Sequence, residues 1–257
     1  MLSKLSLLLK NSSSTNWKIE DFSGIDQLHL GGMPATLELL NWLPNGAKDG
    51  LDIGCGLGGT SRLLSAERDC NMVGLDLNQR YVDAAILLNQ TIRPEPNCQF
   101  IVGNSLNLPF PEHRFDFVIS QHATMNIDQK KTLLKGLFRV LKPQGTLLIH
   151  EIMLHQQATE SDVAYPTPWA NDKRESQLCH WQAFNDLALA TGFKVEHFDD
   201  NTAAALTWIR QTRQQKLKPP FTPPLVLGPN AAVMSANVLG NIEAGYLQVV
   251  SARLSKP

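Results

Sequence analysis

The chain has 257 residues, of which 43% are apolar and 18% charged, and its formal net charge is -1. That composition describes a globular chain with enough apolar residues for a sizeable core. With near-neutral charge and no acidic or basic block, electrostatics gives no case for nucleic acid or an anionic membrane as a partner.

Residues 1–10 hold a short apolar stretch, but Ser6 cuts it, Lys10 closes it, and no small-x-small cleavage site follows. No apolar run reaches the roughly 20 residues needed to span a bilayer. Cys55, Cys70, Cys98 and Cys179 form neither a C-x-x-C pair nor a zinc-like spacing, so reduced thiols and a cytoplasmic location are expected. The chain up to about Gly32 reads as polar and irregular, with a flexible stretch over 11–16. A helix is expected over 34–43, ended by Pro44-Asn45-Gly46.

From there strands and helices alternate. Strands are expected at 50–53, 72–75, 98–102, 115–119 and 146–150, with helices at 60–67, 80–91 and 129–141 and a turn at 142–145. Later come a helix over 182–191 stopped by Gly192, a strand over 193–198, and a long helix over 202–216 broken by the prolines of 219–224. A helix over 230–239 and a strand over 246–254 complete the chain. The basic stretch 210–218 reads as a solvated helix face. This order predicts an α/β fold with a mostly parallel, doubly wound sheet of seven strands and helices on both faces. The less regular segments 153–177 and 202–245 are a helical and loop cap inserted in the single domain 46–257.

The central signal is Gly50-Leu51-Asp52-Ile53-Gly54-Cys55-Gly56-Leu57-Gly58-Gly59, where a strand turns into a helix. Glycines there let a ligand approach the backbone, and helix N–H groups point at it. Asp76 ends the next strand, where a carboxylate can hold two ribose hydroxyls. Gly54, Gly56 and Gly59 alone also satisfy a dinucleotide pattern. Asp52, two residues before the first glycine, would face a pyrophosphate badly and suits a ligand with an ammonium group.

The run 51–59 resembles the first motif of class I S-adenosylmethionine (SAM)-dependent methyltransferases. The resemblance continues in order through Leu75-Asp76-Leu77, residues 103–110, Phe115-Asp116-Phe117-Val118-Ile119-Ser120 and Arg139-Val140-Leu141-Lys142-Pro143-Gln144-Gly145. Residues 26–32 resemble the segment that, in the small-molecule branch with sarcosine/dimethylglycine, phosphoethanolamine and tocopherol methyltransferases, folds over the methionine end of SAM. The resemblance implies a Rossmann-like fold, SAM as cofactor with S-adenosylhomocysteine (SAH) as product, and a segment 1–45 that closes over the cofactor. It implies cofactor contacts from His29, Gly32, Asp52, Gly54, Cys55, Gly56 and Gln121. Asp76 would hold the ribose, Asn104 and Ser105 would lie by the adenine, and Leu77 and Leu106 would sandwich it. The sequence departs from the family at Asn104, usually Asp, and at Gln144, usually Gly. It departs also at His122 and Asn126, where the phosphoethanolamine and sarcosine relatives tend to have Asp and His.

Methyl transfer from a sulfonium is an in-line displacement, so the protein mainly aligns the partners. His122, just past the fourth strand, is the candidate base or orienter of the acceptor. Met125, Asn126, Tyr165, Trp169, Trp208, Arg210 and Tyr246 are candidate acceptor contacts, and His155 a weaker one. His150 and Glu151 end the fifth strand near the cleft. No metal site is expected, because H-x-x-x-H on a loop is a poor ligand pair. The expected partner is a small-molecule acceptor with its N, O or C atom open, for a monomer or homodimer. The competing readings are a SAM-binding regulatory or assembly module, an NAD(P)-dependent oxidoreductase, and a methyltransferase of RNA or protein. Against the oxidoreductase, no Tyr-x-x-x-Lys pair is present.

Overall fold

The computed structural model describes residues 1–12, 16–214 and 220–257. Seven strands form its sheet: β1 (Asp49–Ile53), β2 (Asn71–Asp76), β3 (Cys98–Val102), β4 (Phe115–Gln121), β5 (Leu141–Leu154), β6 (Lys194–Asp200) and β7 (Leu247–Ser255). Their order is β3-β2-β1-β4-β5-β7-β6. Six strands run in one direction, and β7, between β5 and β6, is antiparallel to both.

Alternation along each strand feeds two cores. Leu51, Ile53, Val118, Leu147 and Ile149 belong to one buried cluster, while Phe117, Ile119 and Leu148 belong to another. A parallel sheet covered on both faces needs this near-continuous apolar sequence. The chain leaves β1 toward β2 on one side and returns to β4 on the other. A crevice therefore opens at the carboxyl ends of β1 and β4, the place where open α/β sheets bind ligands.

The helices are α1 (Leu2–Asn11), α2 (Ser23–Asp26), α3 (Gly32–Leu40), α4 (Gly59–Arg68), α5 (Gln79–Thr91), α6 (Lys130–Val140), α7 (Trp181–Thr191), α8 (Thr202–Gln214), α9 (Pro224–Leu227) and α10 (Ala231–Glu243). Most differ from the sequence expectation by a few residues at their ends. The N-terminus is a correction: residues 2–11 are helical, not irregular. Leu2, Leu5, Leu8 and Leu9 fall on one face at helical spacing, and Leu5, fully buried, packs with Phe22, Ile25 and Leu88. The expected turn at 142–145 is a second correction. It lies inside β5 as a bulge, where pairing jumps from Phe115↔Leu141 to Phe117↔Thr146 and Gln144 takes φ 64°. β5 also runs on to Leu154, four residues past expectation, because β7 pairs with it over that whole length. The expected flexibility at 13–15, the end of the 202–216 helix at 215–216 and the part of the basic stretch at 215–218 fall outside the described residues.

The cap segments share one buried cluster. Ala205 and Ile209 of α8, Val238 and Ile242 of α10, and Val163 and Leu178 pack with Leu30, Met125 and Ile152.

Candidate active site

A cavity of about 630 Å³ opens at the carboxyl ends of β1, β2 and β4. The glycine turn forms its floor. Gly54 has φ +67°, and a Cβ there would lie 2.6 Å from the Ala123 Cβ, so only glycine lets the loop after β4 approach. Gly56 has φ +54°, and a Cβ there would meet no atom within 4 Å. Its backbone is bare toward the cavity.

Two carboxylates flank this turn. Asp76 at the end of β2 accepts from Gly56 N at 2.9 Å and Asn78 N at 2.8 Å, and burial raises its pKa. Asp52 inside β1 is buried and accepts from the Ser61 hydroxyl at 2.7 Å. Burial pushes its pKa up to about 7.

The segment before α3 covers the turn. Asp26 pairs with Arg62 of α4 at 2.7 Å, with side chains 1% and 0% exposed. Burial lifts the Asp26 pKa to about 6 against the pull of the guanidinium. Arg62 also donates to the carbonyls of Leu57 and Ala85. Thr36 donates to the Gln27 side-chain oxygen at 3.1 Å and accepts from Gln121 Nε2 at 3.2 Å, and Thr60 donates to the Gln121 side-chain oxygen at 2.7 Å. Gln121 thus ties α3 and α4 to the end of β4.

Three imidazoles meet beyond Gln121. The His122 and His150 rings stack at 5.3 Å, and His29 lies edge-on at 6.0 Å and 5.7 Å from them. The register Gln121↔His150 places the pair together, and His122 N donates to His150 O at 2.9 Å. His150 Nε2 donates to the Leu30 carbonyl at 2.7 Å, so its Nδ1 accepts from the Ser251 hydroxyl at 2.8 Å. His29 Nε2 donates to the Gly32 carbonyl at 2.9 Å. Burial pushes His29 down to about 3 and His150 to about 4, and holds His122 well below the usual imidazole value. Burial thus favours the neutral form of all three imidazoles. His122 Nε2 is buried and has no hydrogen-bond partner among the described residues.

The loop carrying His122 is held from both ends. His122 itself has φ 49°. The buried Glu151 carboxylate accepts from the Ser120 hydroxyl at 2.5 Å, from Ala123 N at 3.1 Å and from Thr124 N at 3.2 Å. Lys130 Nζ donates to the carbonyls of Thr124 at 2.9 Å and Gln177 at 2.7 Å, and to that of Ile127. One side chain takes the loop's donors and the other its acceptors.

The cavity brings together His29, Asp52, Gly54, Cys55, Gly56, Asp76, Leu77, Asn104, Ser105, Leu106 and Gln121, and at its other end His122, Met125, Asn126 and Trp169. Leu77 is 72% exposed at the mouth, open to cover by a flat ring. Asn104 Oδ1 accepts from Leu106 N at 2.9 Å and so caps its own turn. Six expected contacts do not line the cavity: Gly32, Trp208, Arg210, Tyr165, Tyr246 and His155. Gly32 starts α3 and offers only its carbonyl to His29, while the Trp208 ring packs behind it, 3.0 Å from where its Cβ would stand. Arg210 faces outward to pair with Glu243 at 2.7 Å. Tyr165 packs into the cap cluster, and Tyr246 is partly exposed just before β7, away from the cavity. His155 bonds to the Gly245 carbonyl at 3.2 Å, also away from it. Sequence reasoning missed Thr60, Tyr81, Leu30, Val226, Leu227 and Val238 on the wall. Tyr81 had a local signal: it stands in the first turn of the helix that Asn78 caps after Asp76. The others arrive through tertiary packing.

Residues 51–149 match the family model described as a methyltransferase domain. This segment is therefore similar to methyltransferase domains. The domain model covers the glycine turn, both carboxylates and the His122 loop, and stops short of the N-terminal segment and the cap. Among curated relatives, 24-methylenesterol C-methyltransferase 3 of Arabidopsis thaliana is 28% identical over 148 residues, 56% of this chain and 41% of that protein. Phosphoethanolamine N-methyltransferase 3 of the same plant is 27% identical over 175 residues, 67% of this chain and 34% of that protein. The chain therefore spans less than half the length of either relative. Phosphoethanolamine N-methyltransferase 2 of Haemonchus contortus, solved with S-adenosyl-L-methionine, superposes with a TM-score of 0.76 at 19% identity. The match covers 98% of this chain and 60% of that one. The whole chain thus has the Rossmann-like methyltransferase fold.

Proposed function

We propose that the chain binds SAM through its methyltransferase domain and transfers the methyl group to a small-molecule acceptor in the same cavity. The observation that carries this reading is the pair of carboxylates on either side of a bare glycine turn, Asp52 inside β1 and Asp76 at the end of β2. The residues present fit the cofactor. Asp76 has the geometry to accept from ribose hydroxyls, exposed Leu77 offers an apolar face to the adenine, and Asp52 offers charge to an ammonium group. The segment 1–45 closes over this end, and the insertions at 153–177 and 202–245 in the domain 46–257 form the acceptor side.

SAM, when bound, supplies a methyl group already activated on a sulfonium. The protein's work is then alignment and exclusion of water, which is worth about 7–11 kcal/mol in well-oriented reactions. Gln121, fixed by Thr36 and Thr60, and the held loop from His122 to Asn126 position the acceptor. Burial holds the His122 imidazole well below its usual value, which favours an orienting role over that of a general base, since such bases work best near the operating pH. We assign it the orienting role: its imidazole is a hydrogen-bond partner for the acceptor. The four free cysteines suit a reducing cytoplasm, and the site needs no second macromolecule, so a monomer or homodimer serves equally.

Titration calorimetry with SAH, SAM and NAD tests the cofactor. SAH and SAM should bind in the micromolar range, NAD should give no saturable heat, and Asp76→Ala should weaken SAH at least ~100-fold through loss of charged hydrogen bonds. NAD binding, or no SAH binding by the folded protein, would refute the reading.

A further inference from the structure

The acceptor end of the cavity differs in chemistry from the cofactor end. Met125, Ile152, Trp169 and Val238, which share the cap cluster, line it. The Trp169 indole N–H is engaged with the Ser176 hydroxyl at 3.2 Å, which fixes the ring. Among the described residues no Lys or Arg lines the cavity, whereas Asp26, Asp52, Asp76 and Asp128 do. The guanidinium nearest the floor, Arg62, is fully buried and spent on Asp26 and two carbonyls. The stacked imidazole of His122 keeps a buried Nε2 without a partner.

A phosphate or carboxylate placed here would lose its water and, among the described residues lining the cavity, find no lysine or arginine to pair with. Burying an unpaired anion is among the costliest steps in protein chemistry. An apolar body would instead bury its surface against the apolar wall. A neutral imidazole presents one donor and one acceptor, and a hydroxyl can meet either.

We infer that the acceptor is an uncharged molecule with an apolar body and a hydroxyl group that hydrogen-bonds to His122, and that phosphate-bearing acceptors are excluded. This rests on the proposal that SAM occupies the Asp76 end. It separates the chain from the phosphoethanolamine enzyme whose fold it shares. The hydroxyl orients the acceptor, and nothing here requires it to be the methylated atom.

The test uses the full chain saturated with SAH and three probes: 4-octylphenol, octylbenzene and phosphoethanolamine. Calorimetry should give saturable micromolar binding of octylphenol, roughly tenfold weaker binding of octylbenzene, and no heat from phosphoethanolamine at millimolar concentration. In His122→Phe, checked for folding by its SAH affinity, the preference for octylphenol over octylbenzene should vanish while octylbenzene still binds. Binding of phosphoethanolamine, no binding of octylphenol to SAH-loaded protein, or an unchanged hydroxyl preference in His122→Phe would each overturn the inference alone. Failure to bind SAH at all would overturn the proposed function and this inference with it.

Discussion

Replacing Asp26 by Ala tests how the N-terminal segment is fastened to the glycine turn. Arg62 is fully buried in α4, and among the described residues Asp26 is its only carboxylate partner, at 2.7 Å. Removing one partner of a buried ion pair costs about 3–5 kcal/mol, because the other charge is stranded. Arg62 keeps its bonds to the Leu57 and Ala85 carbonyls, so the lower end of that range, about 3 kcal/mol, is expected. In a chain of this size that lowers Tm by roughly 6–12 °C. Asp26→Asn, which retains an acceptor oxygen, should cost less. The Asp26 pKa of about 6 lies above its unfolded value, so its contribution to stability is fully present below pH 4 and is lost as pH rises through 6. Asp26→Asn should therefore lose less stability than the wild type between pH 5 and 7. Because the same segment brings His29 and Leu30 to the cavity, Asp26→Ala should also weaken SAH. Urea denaturation and SAH calorimetry read both effects. A destabilisation below about 1 kcal/mol with unchanged SAH affinity would refute the fastening.

Other consequences are equally direct. The carboxyl of Asp52, at about 7 in the free protein, must ionise to meet an ammonium group, so SAM affinity should rise up to about tenfold per pH unit as pH increases toward 7. Proton release on binding, measured calorimetrically in buffers of different ionisation enthalpy, should accompany it and disappear in Asp52→Asn. Glu151→Ala strands the Ser120 hydroxyl and two backbone N–H groups, and it should cost more than about 3 kcal/mol in urea denaturation; a loss under about 1 kcal/mol would contradict its hold on the His122 loop. Lys130→Met should loosen the same loop from its carbonyl side, seen as faster amide hydrogen exchange over 123–127 with the sheet unaffected.

The parts of the site legible in the sequence were those set by local chemistry. Glycines at the end of an apolar strand, Asp52 before them and Asp76 one strand later marked the glycine-floored end of the cavity, because strand, turn and helix N-terminus follow one another along the chain. The acceptor end was less legible. Arg210 read as a ligand because α8 belongs to the cap, yet its outward face and Glu243 are tertiary facts. His150 and Glu151 read as neighbours of the cleft; that one stacks on His122 and the other grips its loop follows from the register of β4 on β5, which no local pattern prints. The N-terminal helix was missed because its leucines were read as a linear run rather than at helical spacing.

The most direct test of the central claim is a structure of the chain with SAH bound. It should place the ribose hydroxyls on Asp76, the adenine against Leu77, the ammonium beside Asp52, and the sulfur facing the end lined by His122 and Trp169. An SAH molecule with its sulfur turned away from His122, or bound outside this cavity, would contradict the account.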